Sequence, residues 1–337
     1  MTSLVTTVTE TLRYRGAIGQ WSWVLHRLTG LGVVLFFIIH VIDTSWAVFY
    51  PDLYVKAIAI YQTPLFTVGE FALVFAVVYH AINGLRISFL DFRPHLWRYQ
   101  QRAAYIVLAV TIVLLIPVFA LMMGHVIAHY NSNPEILPLG EVLASQLPFI
   151  GGMLAAFVVG LVFSMIYGLI AGDTENKSGR DEGSAVERFW WSFMRISGVL
   201  IVPLVFGHLA AMHVVQGVFD ITAQDYAVVG TNLVNETGTA VEFVANRWNL
   251  LIGPIAVWRL YDFALLTLVT LHAFNGLRYV LTDYTMSSPL LRRAMVYTTV
   301  IGAVVILVMG IGALIGTIDE TAIAMAEQAM ENLHAAP

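Results

Sequence analysis

His80-Ala81-Ile82-Asn83-Gly84-Leu85-Arg86, with Asp91-Phe92 after it, returns later in the chain as His272-Ala273-Phe274-Asn275-Gly276-Leu277-Arg278, with Asp283-Tyr284 after it. In each copy the His lies inside an apolar segment, and the Arg and Asp mark the segment's end. An ionisable side chain in such a segment is costly unless the interior of a helix bundle uses it. Two of them, one from each half of the chain, are what two facing helices need to hold a metal or haem between them. A second pair obeys the same rule. Arg27-Leu28-Thr29-Gly30 precedes His40, and Arg195-Ile196-Ser197-Gly198 precedes His208, each His thirteen residues after its Arg.

Helical rise converts these spacings into depth. His80 and His272 each lie roughly 9 Å from the Arg that closes their motif, and His40 and His208 roughly 20 Å from the Arg that opens theirs. Two level pairs therefore stack about 10–15 Å apart along the membrane normal. Bis-imidazole ligation of two haem irons fits this spacing. Gly84 and Gly276, four residues past their His, can leave room for a flat macrocycle, and Arg27, Arg86, Arg195 and Arg278 can meet propionates bidentately. A lone His in a span more often hydrogen-bonds a neighbouring helix; four in matched registers point to ligation. His213 competes with His208, with Ser45 at the matching place in the first half. His95, His125, His129 and His334, at span ends or in connections, read as solvated, and Asn83 and Asn275 as helix-packing groups.

The elements that must position these residues follow from composition. The chain is 58% hydrophobic and 12% charged, with a mean hydropathy of +0.78; soluble domains carry about 25% charged residues. It is an integral membrane protein. Cysteine is absent, which excludes disulfides, thiolate zinc sites, Cys-ligated iron–sulfur clusters and c-type haem attachment. The polar opening, residues 1–20, has no apolar core of a signal peptide.

Runs of spanning length occupy Trp21–Ala47, Leu65–Leu90, Ala103–His125, Leu147–Ala171, Trp191–Val218, Ile255–Val280 and Met295–Ile315. Of 17 Lys and Arg, only Lys56, Arg247 and Arg259 fall outside when the N-terminus is placed inside, so the inside is cytoplasmic and the C-terminus lies outside the cell's inner membrane. Spans one to three and five to seven read as two copies of one three-helix unit, both starting inside: a parallel repeat. Glu70-Phe71-Ala72-Leu73 and Asp262-Phe263-Ala264-Leu265 extend it. The fourth span returns the chain to the inside, and the charged segment 172–187 reads as an old junction between two genes. The expected fold is all-α and membrane-spanning, with seven helices, two three-helix repeats (1–130 and 188–318), a linker with the adaptor helix (131–187), an acidic outer tail (319–337) and a haem-binding four-helix core.

Both halves resemble the cytochrome b membrane-anchor subunits of succinate dehydrogenase and fumarate reductase, respiratory complex II. The first half does so through Leu25-His26-Arg27-Leu28-Thr29-Gly30 and His80 with Asp91, the second through His272 to Arg278 with Asp283-Tyr284. The resemblance covers about six of the seven spans. It implies one haem b on His80 and His272 and a second, distal haem b on His40 and His208. It implies quinone binding at Arg27, Asp283, Tyr284 and Asp91, with His26 as a propionate or quinone-site contact. The family's quinone-contacting Ser lies four residues before this Arg; here that residue is Trp23. Ser22, one residue earlier and about 100° round the helix, is the candidate for that quinone contact here. Phe92 replaces Tyr in the first copy. The implied partners are flavoprotein and iron–sulfur subunits on the inner face, which carry the dicarboxylate chemistry, and a membrane quinone; two-haem members often serve menaquinone. Two other readings stay open: a b-type anchor of another quinone-linked dehydrogenase, and a parallel-repeat transporter relaying protons through Asp43, Glu70 and Asp262.

Overall fold

A backbone in hydrocarbon must satisfy its own N–H and C=O groups, and each of the seven apolar segments does so as a helix. The computed structural model describes residues 16–132, 134, 136–171 and 185–335. The spanning helices are Ile18–Phe49, Pro64–Phe92, Gln100–Asn131, Leu147–Ala171, Ala185–Leu209, Val257–Tyr284 and Pro289–Ile315. The chain is thus an all-α, multi-pass membrane protein, apart from two two-stranded hairpins, Tyr226–Ala227 with Val234–Asn235 and Leu251–Ile252 with Ile255–Ala256. The second and seventh spans begin on Pro64 and Pro289, where the missing N–H costs nothing. The polar opening up to residue 15, and the junction from 172 to 184, lie outside the described residues.

The first span packs on the second and the fifth on the sixth; across the halves, the second packs on the fifth and the first on the sixth. The third span lies against the second and first, and the seventh against the sixth and first. The fourth packs on the seventh. There Ser164 Oγ donates to the Leu290 carbonyl at 2.7 Å, and Gly160 lets the Thr298 side chain and the Ala294 carbonyl approach closely.

Several boundaries differ from the sequence expectation, and two of the differences have a visible cause. The sixth span starts at Val257 rather than Ile255, because Ile255 and Ala256 are taken by a hairpin. The fifth leaves α-geometry at Leu209 for a π-helical stretch, Ala210–Val215, before the chain turns at Gln216.

At the end away from Arg27 and Arg195 the connections build a packed cap. It joins the short helices Pro51–Tyr61 and Ala240–Trp248, the hairpins and a C-terminal helix, Glu320–Ala335. Its core includes Tyr54, Ile58, Val241, Val244, Trp248, Ile318 and Ala326. Thr239 caps the helix Ala240–Trp248 by accepting from Glu242 N–H. The Glu242 carboxylate accepts from the backbone N–H groups of Glu236 and Thr237 at 3.1 and 2.7 Å, so this acidic connection folds back on itself.

Candidate functional site

His80 and His272 enter the bundle from the second and sixth spans, and each is held by the first helix of its own half. His80 Nδ1 lies 3.0 Å from the His26 carbonyl oxygen, and His272 Nδ1 lies 2.9 Å from Ser197 Oγ. Gly30 and Gly198 allow this: a Cβ there would stand 2.9 Å from His80 Cε1 and 3.2 Å from His272 Cε1. With Nδ1 occupied, Nε2 is left as the ring's outward nitrogen, the arrangement in which the polypeptide orients a metal-ligating imidazole. The two rings are within electrostatic reach of each other, and His26 is within reach of both.

His26 lies directly against the His80 ring. Its ring stacks on His80 with centroids 3.9 Å apart and planes 7° from parallel. Gly84 and Gly276 face His26 Cε1 and the Met194 methyl, each at 3.6 Å, so the space beside them is held by the residue before each Arg.

The Arg and Asp residues pair across the halves rather than within them. Arg195 donates through Nε and Nη2 to Asp91 Oδ2 at 2.9 and 2.7 Å, and Arg27 forms an ion pair with Asp283. Each Arg also lies over a Trp four residues earlier, Arg27 over Trp23 and Arg195 over Trp191, both 4.0 Å from the ring centroid. The Trp residues share the 168-residue offset of Arg27 and Arg195, a repeat signal carried by the sequence itself.

Ser22 is buried and belongs to another group. Arg86 Nη1 donates to it at 2.7 Å, its own hydroxyl donates to Asn83 Oδ1 at 2.9 Å, and Tyr79 Oη lies 3.1 Å away. Arg278 donates to Asn275 Oδ1 at 3.1 Å and pairs with Glu187 at 3.2 Å. In both halves the Asn amide nitrogen, and one guanidinium nitrogen of the Arg three residues on, are buried without a hydrogen bond among the described residues: Asn83 Nδ2, Arg86 Nε, Asn275 Nδ2 and Arg278 Nη2. His26 Nδ1 is in the same state. Tyr284 is 76% exposed and is not drawn into the Arg27–Asp283 pair.

Toward the cap, the His40 and His208 rings lie 5.9 Å apart, edge to face. His208 Nδ1 is buried without a hydrogen bond, so this pair lacks the orienting contacts of the other. His213 lies beside them, 6.5 Å from His208. Residues five apart approach one face only where the helix takes i→i+5 bonding, which is what the stretch from Ala210 supplies. His213 Nδ1 is engaged by Glu70 Oε1 at 2.6 Å, a third contact crossing the halves. His125 and His129 are not simply solvated. His125 pairs with Asp220 at 2.8 Å, and His129 stacks on Phe219 at 4.2 Å. His95 is exposed, and the His334 side chain is outside the described residues. Among the described residues, no three His, Cys, Asp or Glu side chains gather around a site for a free metal ion.

The pattern of the family described as succinate dehydrogenase/fumarate reductase transmembrane subunit matches residues 6–120 and 182–312. The chain is similar to the succinate dehydrogenase 2 membrane subunit SdhC of Mycobacterium tuberculosis (strain ATCC 25618 / H37Rv). The two are 35% identical over 136 residues, which cover 39% of this chain and 100% of that subunit. No solved structure matches the chain.

Proposed function

The chain belongs to the succinate dehydrogenase/fumarate reductase transmembrane-subunit family, and we propose that within it this is a fused, two-haem cytochrome b anchor, two three-helix units joined by the fourth span. It docks a flavoprotein and an iron–sulfur subunit at its Arg-rich face and passes electrons to or from a membrane quinone, menaquinone by the resemblance. One observation carries the reading: His80 and His272, equivalent in the two halves, each have Nδ1 engaged by the first helix and, among the described residues, Nε2 making no hydrogen bond.

The residues around that pair suit a haem with two carboxylates. The unpartnered donors of Asn83, Arg86, Asn275 and Arg278 are left without acceptors at a cost of about 1–3 kcal/mol each, and propionates are acceptors of the right charge. His80 and His272 would hold the inner haem and His40 and His208 the outer one. When bound, haem b supplies one-electron transfer.

The rest is the work of this chain's side chains. Ser197 Oγ and the His26 carbonyl keep the two imidazoles in one tautomer. Asp91 and Asp283 hold Arg195 and Arg27 at the bundle's end. Arg27, stacked on Trp23 and partly exposed, is a fixed cation for the charge that develops on a quinone oxygen. Asp283 holds that cation through Oδ2, and Tyr284 can donate from the rim. Ser22, occupied by Arg86, acts on the quinone only if that contact opens.

The test is the purified complex. It should contain about two protohaems per copy of this chain by pyridine haemochrome, together with a flavoprotein and an iron–sulfur subunit; none or one haem per chain overturns the two-site reading. Arg27→Met and Tyr284→Phe should slow quinone turnover while dye-linked succinate oxidation and haem content stay at the unaltered level. Unchanged quinone turnover in both would remove this end of the bundle as the quinone site.

A further inference from the structure

The cap carries a charge that the proposed function leaves unused. Arg247, in the helix Ala240–Trp248, is only 6% exposed. Its Nη1 donates to Met212 Sδ at 3.3 Å and to the Val229 carbonyl at 3.4 Å, both weak partners for a cation. Its guanidinium carbon lies 4.1 Å from the centroid of the Trp258 ring. Asp262 is within electrostatic reach, but its Oδ2 accepts from Trp248 Nε1 at 2.8 Å. Burial draws the guanidinium below its ordinary value, and Asp262 and Tyr261 oppose the shift. A buried cation with such contacts costs free energy until an anion meets it.

The position says which anion. Met212 stands four residues past His208, about one turn nearer the cap, and Arg247 is within electrostatic reach of the His208 ring. That ring has an unpartnered Nδ1 and faces His40. The guanidinium therefore closes the cap side of the second histidine pair, where no other Lys or Arg of the described residues is tied to these rings.

We propose that Arg247 anchors a carboxylate of the haem held by His40 and His208, so that the cap completes the outer haem site. The proposal rests on the two-haem reading above. A propionate at Arg247 would replace thioether and carbonyl contacts with a charge-assisted pair, and would tie the cap helix to the bundle through the cofactor.

Three variants of the whole chain in its purified complex test this: Arg247→Met, Arg247→Lys and Arg259→Met. Arg259 is a control for cap integrity. It donates to the carbonyls of Trp248, Leu314 and Gly316 at the same edge of the cap. Optical redox titration and haem content are the measurements. Removing a cation beside a haem favours its more positive, oxidised state, so Arg247→Met should lower the outer haem's midpoint potential or lose that haem, with the inner haem unmoved. Arg247→Lys should keep the outer haem with a smaller downward shift, and Arg259→Met should leave both haems in place. An unmoved outer potential in Arg247→Met overturns the proposal alone. So does loss of the outer haem in Arg259→Met as well, since retention would then depend on the cap and not on Arg247. A single haem in the unaltered complex removes the two-haem reading and this proposal with it.

Discussion

The two histidine pairs differ in how their rings are held, and that difference predicts different behaviour. Ser197 Oγ donates to the Phe193 carbonyl at 2.6 Å and accepts from His272 Nδ1–H at 2.9 Å, so one hydroxyl joins the fifth span to the sixth at the proposed ligand. Losing an outer-shell partner of this kind typically costs 10–100-fold in metal affinity. Ser197→Ala should therefore weaken retention of the inner haem on dilution or detergent washing by a factor in that range, and leave the outer haem's spectrum as it was. If the inner haem is retained as tightly as before, Ser197 is a packing residue. The registers of His80, His272, His40 and His208 were legible in the sequence because an apolar background makes an ionisable residue conspicuous and the repeat supplies a second instance. The stacking of His26 on His80 was not legible, because its counterpart in the second half is Met194 and the repeat carries no signal there.

Between helices, the crossing of the Arg and Asp partners organises the Arg-rich end. Arg27 reaches Asp283 and Arg195 reaches Asp91, while Glu70 and His213 cross at the other end, so each half is completed by the other. Asp91 and Arg195 are 15% and 22% exposed, enough burial that leaving one charge alone costs about 1–3 kcal/mol. Asp91→Asn should lower the thermal midpoint of the purified complex, and the reversed pair, Asp91→Arg with Arg195→Asp, should recover most of the loss. A double variant no more stable than the sum of its single changes would show that the contact is incidental. The Asp at matched offsets pointed to this end of the chain, but which Arg it meets depends on how the two halves pack, and a linear repeat does not contain that. The cap escaped notice for a different reason. Residues 216–256 read as an acidic connection although Val241, Val244, Ala245 and Trp248 recur at helical spacing, and the tail's charges concealed Ala322, Ile323, Ala326 and Ala329, which do the same and pack into the cap core.

At the scale of the whole chain, the unequal charge of the two ends and the odd number of spans fix what the fourth helix must do. The three cations Lys56, Arg247 and Arg259 all lie in or beside the cap, and Arg27, Arg86, Arg195 and Arg278 toward the opposite end. From the positive-inside bias we propose that the cap lies outside and the N-terminus in the cytoplasm. A reporter that works only outside the cytoplasm should be active when fused after Pro337 and silent when fused before Met1; the reverse pattern would invert the molecule. Three spans leave a chain on the side opposite its start, so the second half can face the same way as the first only after a fourth crossing. That helix carries no His and packs against the seventh span alone among its strong neighbours. At Gly160 an added side chain would run into the Thr298 side chain and approach the Ala294 carbonyl at 2.7 Å. Gly160→Leu should therefore loosen the fourth span from the seventh and lower the thermal midpoint, with both haem spectra and quinone turnover kept. Deleting the fourth span should instead abolish haem binding at both sites, because each proposed site takes one His from either half. If Gly160→Leu removes a haem while the protein stays folded, the fourth helix shapes a haem site and is more than the crossing that turns the second half over.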